Sequence, residues 1–253
     1  MIRPRVIPAL LLQGQGLVKT VQFKNPVYLG DPINIVRIFN DKEVDELVFL
    51  DIAATTENRP PSFEMLASIT SECFMPLGYG GGIKSMDDIR RLFSIGIEKV
   101  ILNTAAVEDP ALIRAVADHA GSSSVVISMD VKKNILGKYE IYTRSGKKKV
   151  GLDPVKHAIE MEKQGAGELF INSIDRDGTM QGYDLDLIKR VADAVSIPVV
   201  ASGGAGKLQD LADAINIGGA SAAAAGSLFV FQGPLRGVLI SYPSQVDLKR
   251  ILP

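Results

Sequence analysis

Ile197-Pro-Val-Val-Ala-Ser-Gly-Gly-Ala-Gly-Lys207 is an apolar run, bounded by Pro198, that stops at two glycines just ahead of a helical pattern beginning near Gln209. A buried strand ending in glycines before a helix brings bare backbone N–H groups to a ligand. The helix N-terminus adds partial positive charge, so the ligand expected there is phosphate. The same design stands earlier as Met75-Pro-Leu-Gly-Tyr-Gly-Gly-Gly-Ile-Lys84, followed by Met86-Asp-Asp-Ile-Arg-Arg-Leu-Phe93. A shift of 122 positions lays Pro76 on Pro198, Gly81 on Gly203 and Gly82 on Gly204. One glycine loop is a weak signal, but two in register point to a duplicated α/β unit with two phosphate seats.

Outward from these loops, short apolar runs alternate with amphipathic helical patterns, which argues for a parallel sheet. Strands are expected near 6–11, 46–51, 74–79, 99–103, 125–130, 168–172, 197–201 and 220–224. Helices are expected near 32–41, 63–71, 86–95, 110–120, 154–164, 185–194, 208–216 and 235–241. Eight such units predict a closed (β/α)₈ TIM barrel as one domain over residues 1–253, with half-barrels of about 1–122 and 123–253. A doubly wound open sheet is the alternative. Its dinucleotide fingerprint, glycines after the first strand and an acid about twenty residues on, is absent.

Composition narrows the function. The 28 basic and 29 acidic residues nearly cancel, so no global field favours nucleic acid or a membrane surface. No apolar run reaches membrane-spanning length. A single cysteine, Cys73, excludes an internal disulfide and fits a reducing cytoplasm, where the chain is expected to work. Only His119 and His157 are present, without Cys/His clustering, so neither a metal nor a cofactor is expected.

Three insertions interrupt the pattern. Residues 13–30 form a long loop holding Gly14, Gly16 and Lys19, read as a ligand cover or an ordinary surface connection. Residues 132–151 look like a hairpin with a basic tip, Lys147-Lys-Lys149, more simply a solvated surface than an anion site. Asp175-Arg-Asp-Gly-Thr179 lacks the remaining ligands of a calcium loop and reads as an anion-facing turn.

Barrel active sites lie where strands end. Gly82 with Asn103 and Thr104 would make one phosphate seat. Gly204 with Gly226 and Ser227 would make the other, with Asp177 and Gly178 beside it, and a ligand phosphorylated at both ends would bridge the two. Asp51 and Asp130 also end strands. Asp130 has no helix directly after it, so helix capping explains it poorly. Its repeat equivalent, about 119 positions earlier, is Leu11, so one member of any opposed carboxylate pair is gone.

On these residues the chain resembles the cyclase subunit of imidazole glycerol phosphate synthase. The resemblance spans essentially the whole chain, through Val21-Gln-Phe23, Gly30-Asp-Pro32, Asp45–Ile52, Gly80–Ile83, Asn103–Ala106, Asp175–Thr179, Gly182-Tyr-Asp184 and Ala201–Lys207. It implies a duplicated half-barrel binding a substrate with a phosphate at each end, and a glutaminase subunit docked at the N-terminal face. Ammonia made there would pass through the barrel to the C-terminal face. Lys19, Asp51, Asn103, Thr104, Asp130, Asp177, Gly82, Gly204 and Ser227 stand where that family's pattern places them. The family's second catalytic aspartate falls at position 11, where this chain reads Ala9-Leu-Leu-Leu12. Leucine can neither take nor give a proton, and positioned acid–base catalysis is typically worth ~10²–10⁴-fold.

The family's ammonia gate, a ring of four charges, is matched by Arg5, Glu46, Lys99 and Glu168. Strand alternation puts Arg5 on the face of Ile7, Ala9 and Leu11, and six residues at ~3.3 Å each place position 11 about 20 Å above it. The resemblance therefore implies a barrel that partners a glutaminase and conducts ammonia to an acceptor, with cyclase chemistry impaired by Leu11. The leucine-rich first strand resembles the branch accompanying surface-sugar amidotransferases, where a third protein would be a partner and an acetamidino group the product. A genuine cyclase of histidine biosynthesis and a non-catalytic phosphate-binding scaffold are the alternatives.

Overall fold

In a computed structural model describing residues 3–252, eight parallel strands close into a barrel. They are β1 (Arg5–Gln13), β2 (Leu47–Asp51), β3 (Leu77–Gly80), β4 (Lys99–Leu102), β5 (Val125–Lys133), β6 (Glu168–Ser173), β7 (Val199–Ser202) and β8 (Ala222–Ala225). Each pairs with the next, and the ring closes where Arg5, Ile7 and Pro8 of β1 lie against Ala222, Ala224 and Ala225 of β8. No helix among the described residues is long and apolar enough to cross a membrane.

Alternation along β1 separates two cores. Ile7 and Ala9 join Val48, Ile101, Val126, Phe170, Val200, Ala222 and Ala224 in the barrel interior. Val6, Leu10 and Leu12 face the opposite way, into the layer between sheet and helices. The helices between them start on local signals. Asp31 and Asp153 accept the N–H groups of Asn34 and Lys156, each with proline at the first helical turn. Ser85 and Asp88 form a reciprocal capping box on the helix Met86–Ser94.

Several expected elements differ. The run near 197 becomes a strand only from Val199, because Pro198 has no N–H for the ladder, although its carbonyl accepts from Leu169 at 2.9 Å. The strand expected from Phe74 begins at Leu77, and Phe74 itself is exposed. The helix expected over 235–241 is absent. Leu235, Val238 and Leu239 have helical spacing but are exposed, and the chain instead pairs Phe231–Gln232 with Gly237–Val238 across a turn at Gly233. The last helix, Gln245–Ile251, starts beyond it on a Ser244 cap.

Both long insertions fold over the barrel mouth. Residues 13–30 are no simple loop: Gly16–Val21 pairs antiparallel with β1 and with Lys24–Gly30. The second insertion is a hairpin, as its alternation suggests. Tyr139–Thr143 pairs antiparallel with the extended end of β5 and with Lys148–Lys149.

Candidate functional site

The carboxyl ends of the strands open into a cavity of about 690 Å³. Leu11, Asp51, Gly82, Asn103, Thr104, Asp130, Asn172 and Asp177 are among its walls. A smaller cavity of about 30 Å³ adjoins it, lined by Lys19, Asp177, Gly178, Gly204, Gly226 and Ser227. Leu11, Leu50, Asn172 and Asp177 line both, so the two groups of residues expected to seat phosphates lie on either side of one wall.

Glycine is required at the heart of each seat. Gly82 has φ +72, and a Cβ there would stand 2.6 Å from the Arg59 carbonyl oxygen. Gly204 has φ +123, and a Cβ would collide with the Gly182 carbonyl. Short helices follow at corresponding places, Thr104–Glu108 after Asn103 and Ser227–Val230 after Gly226. In the smaller cavity the buried Lys19 ammonium donates to Asp177 Oδ1 at 2.9 Å, and the Thr20 hydroxyl donates to Asp177 Oδ2 at 3.3 Å. Among the described residues, nothing hydrogen-bonds the buried Ser227 Oγ, Asn103 Oδ1 and Asn172 Oδ1. Unpartnered polar atoms are costly to bury, so a group converging on a cavity marks a place prepared for a polar ligand.

The two strand-end carboxylates have different lives. Asp51 accepts the N–H groups of Ala53 and Ala54 at 3.0 and 2.9 Å and pairs with Arg59 at 3.3 Å. Its oxygens are therefore occupied in holding the turn after β2. Asp130 lies beside β6, where it accepts from Asn103 Nδ2 at 2.8 Å. Burial, followed by the charge of Asp177, carries its carboxyl from about 3.8 up to about 7, against the opposing hydrogen bonds of Asn172 and Asn103. A carboxyl poised near neutrality suits proton transfer in either direction. No second aspartate stands at Leu11, whose half-buried side chain forms the wall between the cavities.

At the opposite end of the barrel, Arg5, Glu46, Lys99 and Glu168 come together. The Arg5 guanidinium pairs with both Glu46 and Glu168. The Lys99 ammonium lies 2.8 Å from Glu46 and 3.0 Å from Glu168. Since β1 and β6 are not neighbours in the sheet, the Arg5–Glu168 pair spans the barrel interior and the four charges close a ring. Glu46 sits one residue ahead of β2 rather than within it, while Asp45 points outward to Arg3 and the Val6 N–H.

Sequence reasoning overlooked several residues of the mouth. Arg59 was silent because its partner Asp51 reads as an isolated strand-end acid. Arg144 and Ser145 reach the cavity only because their hairpin folds over it, and nothing in local spacing signals that.

The chain matches the family described as histidine biosynthesis protein over residues 5–235. It is 52% identical, over 96% of this chain and 97% of the relative, to a Pseudomonas aeruginosa protein provisionally named imidazole glycerol phosphate synthase subunit hisF2. A Leptospira interrogans protein provisionally named imidazole glycerol phosphate synthase subunit HisF is 47% identical over 98% of both chains. The imidazole glycerol phosphate synthase subunit HisF of Alkaliphilus metalliredigens is 46% identical over 90% of this chain and 91% of its own. A barrel built this way, matched along nearly its whole length, belongs to the histidine biosynthesis protein family.

Proposed function

We propose that the chain is the barrel subunit of a glutamine amidotransferase complex, receiving ammonia from a glutaminase at its N-terminal face and delivering it to a phosphorylated acceptor at the mouth. The observation that carries this reading is the ring of Arg5, Glu46, Lys99 and Glu168 across the barrel floor, at the opposite end of the interior from the cavity that holds Asp130. Among the described residues these two cations and two anions pair with one another, so the ring can separate into two neutral ion pairs and rejoin without stranding a charge, as a gate for a small neutral base requires. Between ring and cavity the interior is wholly apolar, with small side chains at Ala9, Ala222 and Ala224 and larger ones at Ile7, Val48, Ile101 and Phe170. At the mouth Asp130 is the remaining proton carrier, and Leu11 removes the other. We therefore assign the ammonia to an acceptor other than the cyclase substrate. An acetamido group on a surface-polysaccharide sugar, whose carbonyl oxygen would leave (as water overall) as ammonia nitrogen makes the acetamidino group with a third protein, is the acceptor this branch suggests.

The test is coupling. With the cognate glutaminase, glutamine hydrolysis should rise when the barrel is added. Arg5→Ala or Lys99→Ala should let glutamine be consumed without nitrogen reaching product. Unchanged coupling in both variants would refute the conduit. A second reading, an authentic cyclase, is favoured by the 46% identity to the Alkaliphilus protein, whose name assigns it to imidazole glycerol phosphate synthase. Formation of imidazole glycerol phosphate from the cyclase substrate and ammonium by the purified chain separates the two.

A further inference from the structure

The tip of the second hairpin is held in a backbone conformation that side chains resist. Arg144 and Ser145 have φ of 55° and 54°, followed by Gly146 at 75°. Consecutive left-handed residues with side chains persist only where surroundings impose them. Here the Arg144 N–H donates to the Thr104 hydroxyl at 3.1 Å, and the Ser145 hydroxyl donates to the Ile52 carbonyl at 2.7 Å. Gly146 lies against the Phe23 ring of the first hairpin, where a Cβ would come within 2.9 Å. Three separate elements thus fix the tip against the first phosphate seat.

The result is a cation at the rim of that seat. The Arg144 guanidinium rests on Glu108 at 3.0 Å, and both side chains line the large cavity beside Asn103 and Thr104. Their side chains are 43% and 45% exposed, so the pair is weakly held and easily exchanged. Thr104 already accepts from the Arg144 N–H, which leaves its own proton to donate. The second seat contrasts with this, because its cation, Lys19, is buried and committed to Asp177.

We propose that Arg144 is a ligand-binding residue: it leaves Glu108 to grip the phosphate-monoester end of a small molecule in the seat of Gly82, Asn103 and Thr104. A planar guanidinium presents paired donors to two phosphate oxygens, which the lysines of the same hairpin cannot. The assignment rests on the phosphate-seat reading and adds to it a device that distinguishes the two ends of the ligand.

Inorganic phosphate is the probe, titrated into the purified chain at constant ionic strength and followed by the amide NMR signals of Thr104 and Gly204. Arg144→Ala should weaken the response at Thr104 about tenfold and leave that at Gly204 unchanged. Arg144→Lys should recover part of the loss. Glu108→Gln, which removes the resting partner, should tighten the first seat roughly threefold. Lys249→Ala, the same charge change on an exposed residue of the last helix, should do nothing. Unaltered Thr104 titration in Arg144→Ala and Glu108→Gln would overturn the assignment of Arg144 while leaving the seats intact. Equal weakening at both seats would reduce it to a general field effect. No response in the unaltered chain would overturn the phosphate seats and Arg144 together.

Discussion

The floor and the mouth of this barrel are both polar, yet they are built on opposite plans. At the floor, each of the four charges has its partners within the ring, and Glu46 and Glu168 are only 5% and 6% exposed. At the mouth, Asn103, Asn172 and Ser227 keep buried oxygens without partners among the described residues, and Asp130 is pushed toward its neutral form by burial and Asp177. The lesson is that a closed set of charges satisfies itself. An open set waits for something else to satisfy it.

Breaking the floor should have the largest effect on stability. Glu168→Ala strands Arg5 and Lys99 on one side of the ring, and losing one partner of a buried pair costs about 3–5 kcal/mol. Chemical denaturation measures it, and a loss below about 1 kcal/mol would class the ring with surface ion pairs.

The mouth should instead show itself through pH. Asp130 takes up its proton in the folded chain near 7 but in the unfolded chain near 3.8. Between those values the native state holds more protons than the unfolded one, so stability falls as pH rises through the window. The contribution is fully present below the lower value and lost above the upper. Relative to Asp130→Asn, the unaltered chain should lose about 4 kcal/mol across it. Parallel stability–pH curves for the two proteins would show that Asp130 is an ordinary carboxylate.

Two glycines sharpen the contrast within the mouth. Gly204→Ala should cost roughly 2–3 kcal/mol in thermal or urea unfolding, because φ is +123° and the Gly182 carbonyl blocks the Cβ. Gly226→Ala should cost about 1 kcal/mol, since its φ of −105° suits alanine and the Ala9 carbonyl stands at 3.0 Å. Ser145→Ala should cost a similar amount, about 1 kcal/mol for the lost bond to the Ile52 carbonyl. In the same variant, amide exchange over residues 144–147 should speed up more than global stability falls.

Much of this was legible in the sequence where one residue type had one physical use. Glycines in two registered loops marked strand ends that line the two cavities, because a backbone of positive φ tolerates little else there. Alternation along β1 put Arg5 on the inner face, and that face does hold the ring. Legibility failed where tertiary contact outvoted local pattern. Leu235, Val238 and Leu239 carry helical spacing but stay exposed, while the helix itself forms over 245–251 on the Ser244 cap. Gly14 and Gly16 made the first insertion look irregular, although Gly16, Leu17 and Val18 pair antiparallel with the end of β1. Arg144 sat in a basic stretch that reads as solvated surface, and only the fold turns it inward.

On the function proposed above, a barrel with its floor ring complete has lost the chemistry of its mouth at a single position, Leu11. This is tested by giving the purified chain the cyclase substrate, excess ammonium and no glutaminase, then following formation of imidazole glycerol phosphate. Turnover should be absent with Leu11 and should appear in Leu11→Asp. Turnover at ordinary cyclase rates by the unaltered chain would contradict the account.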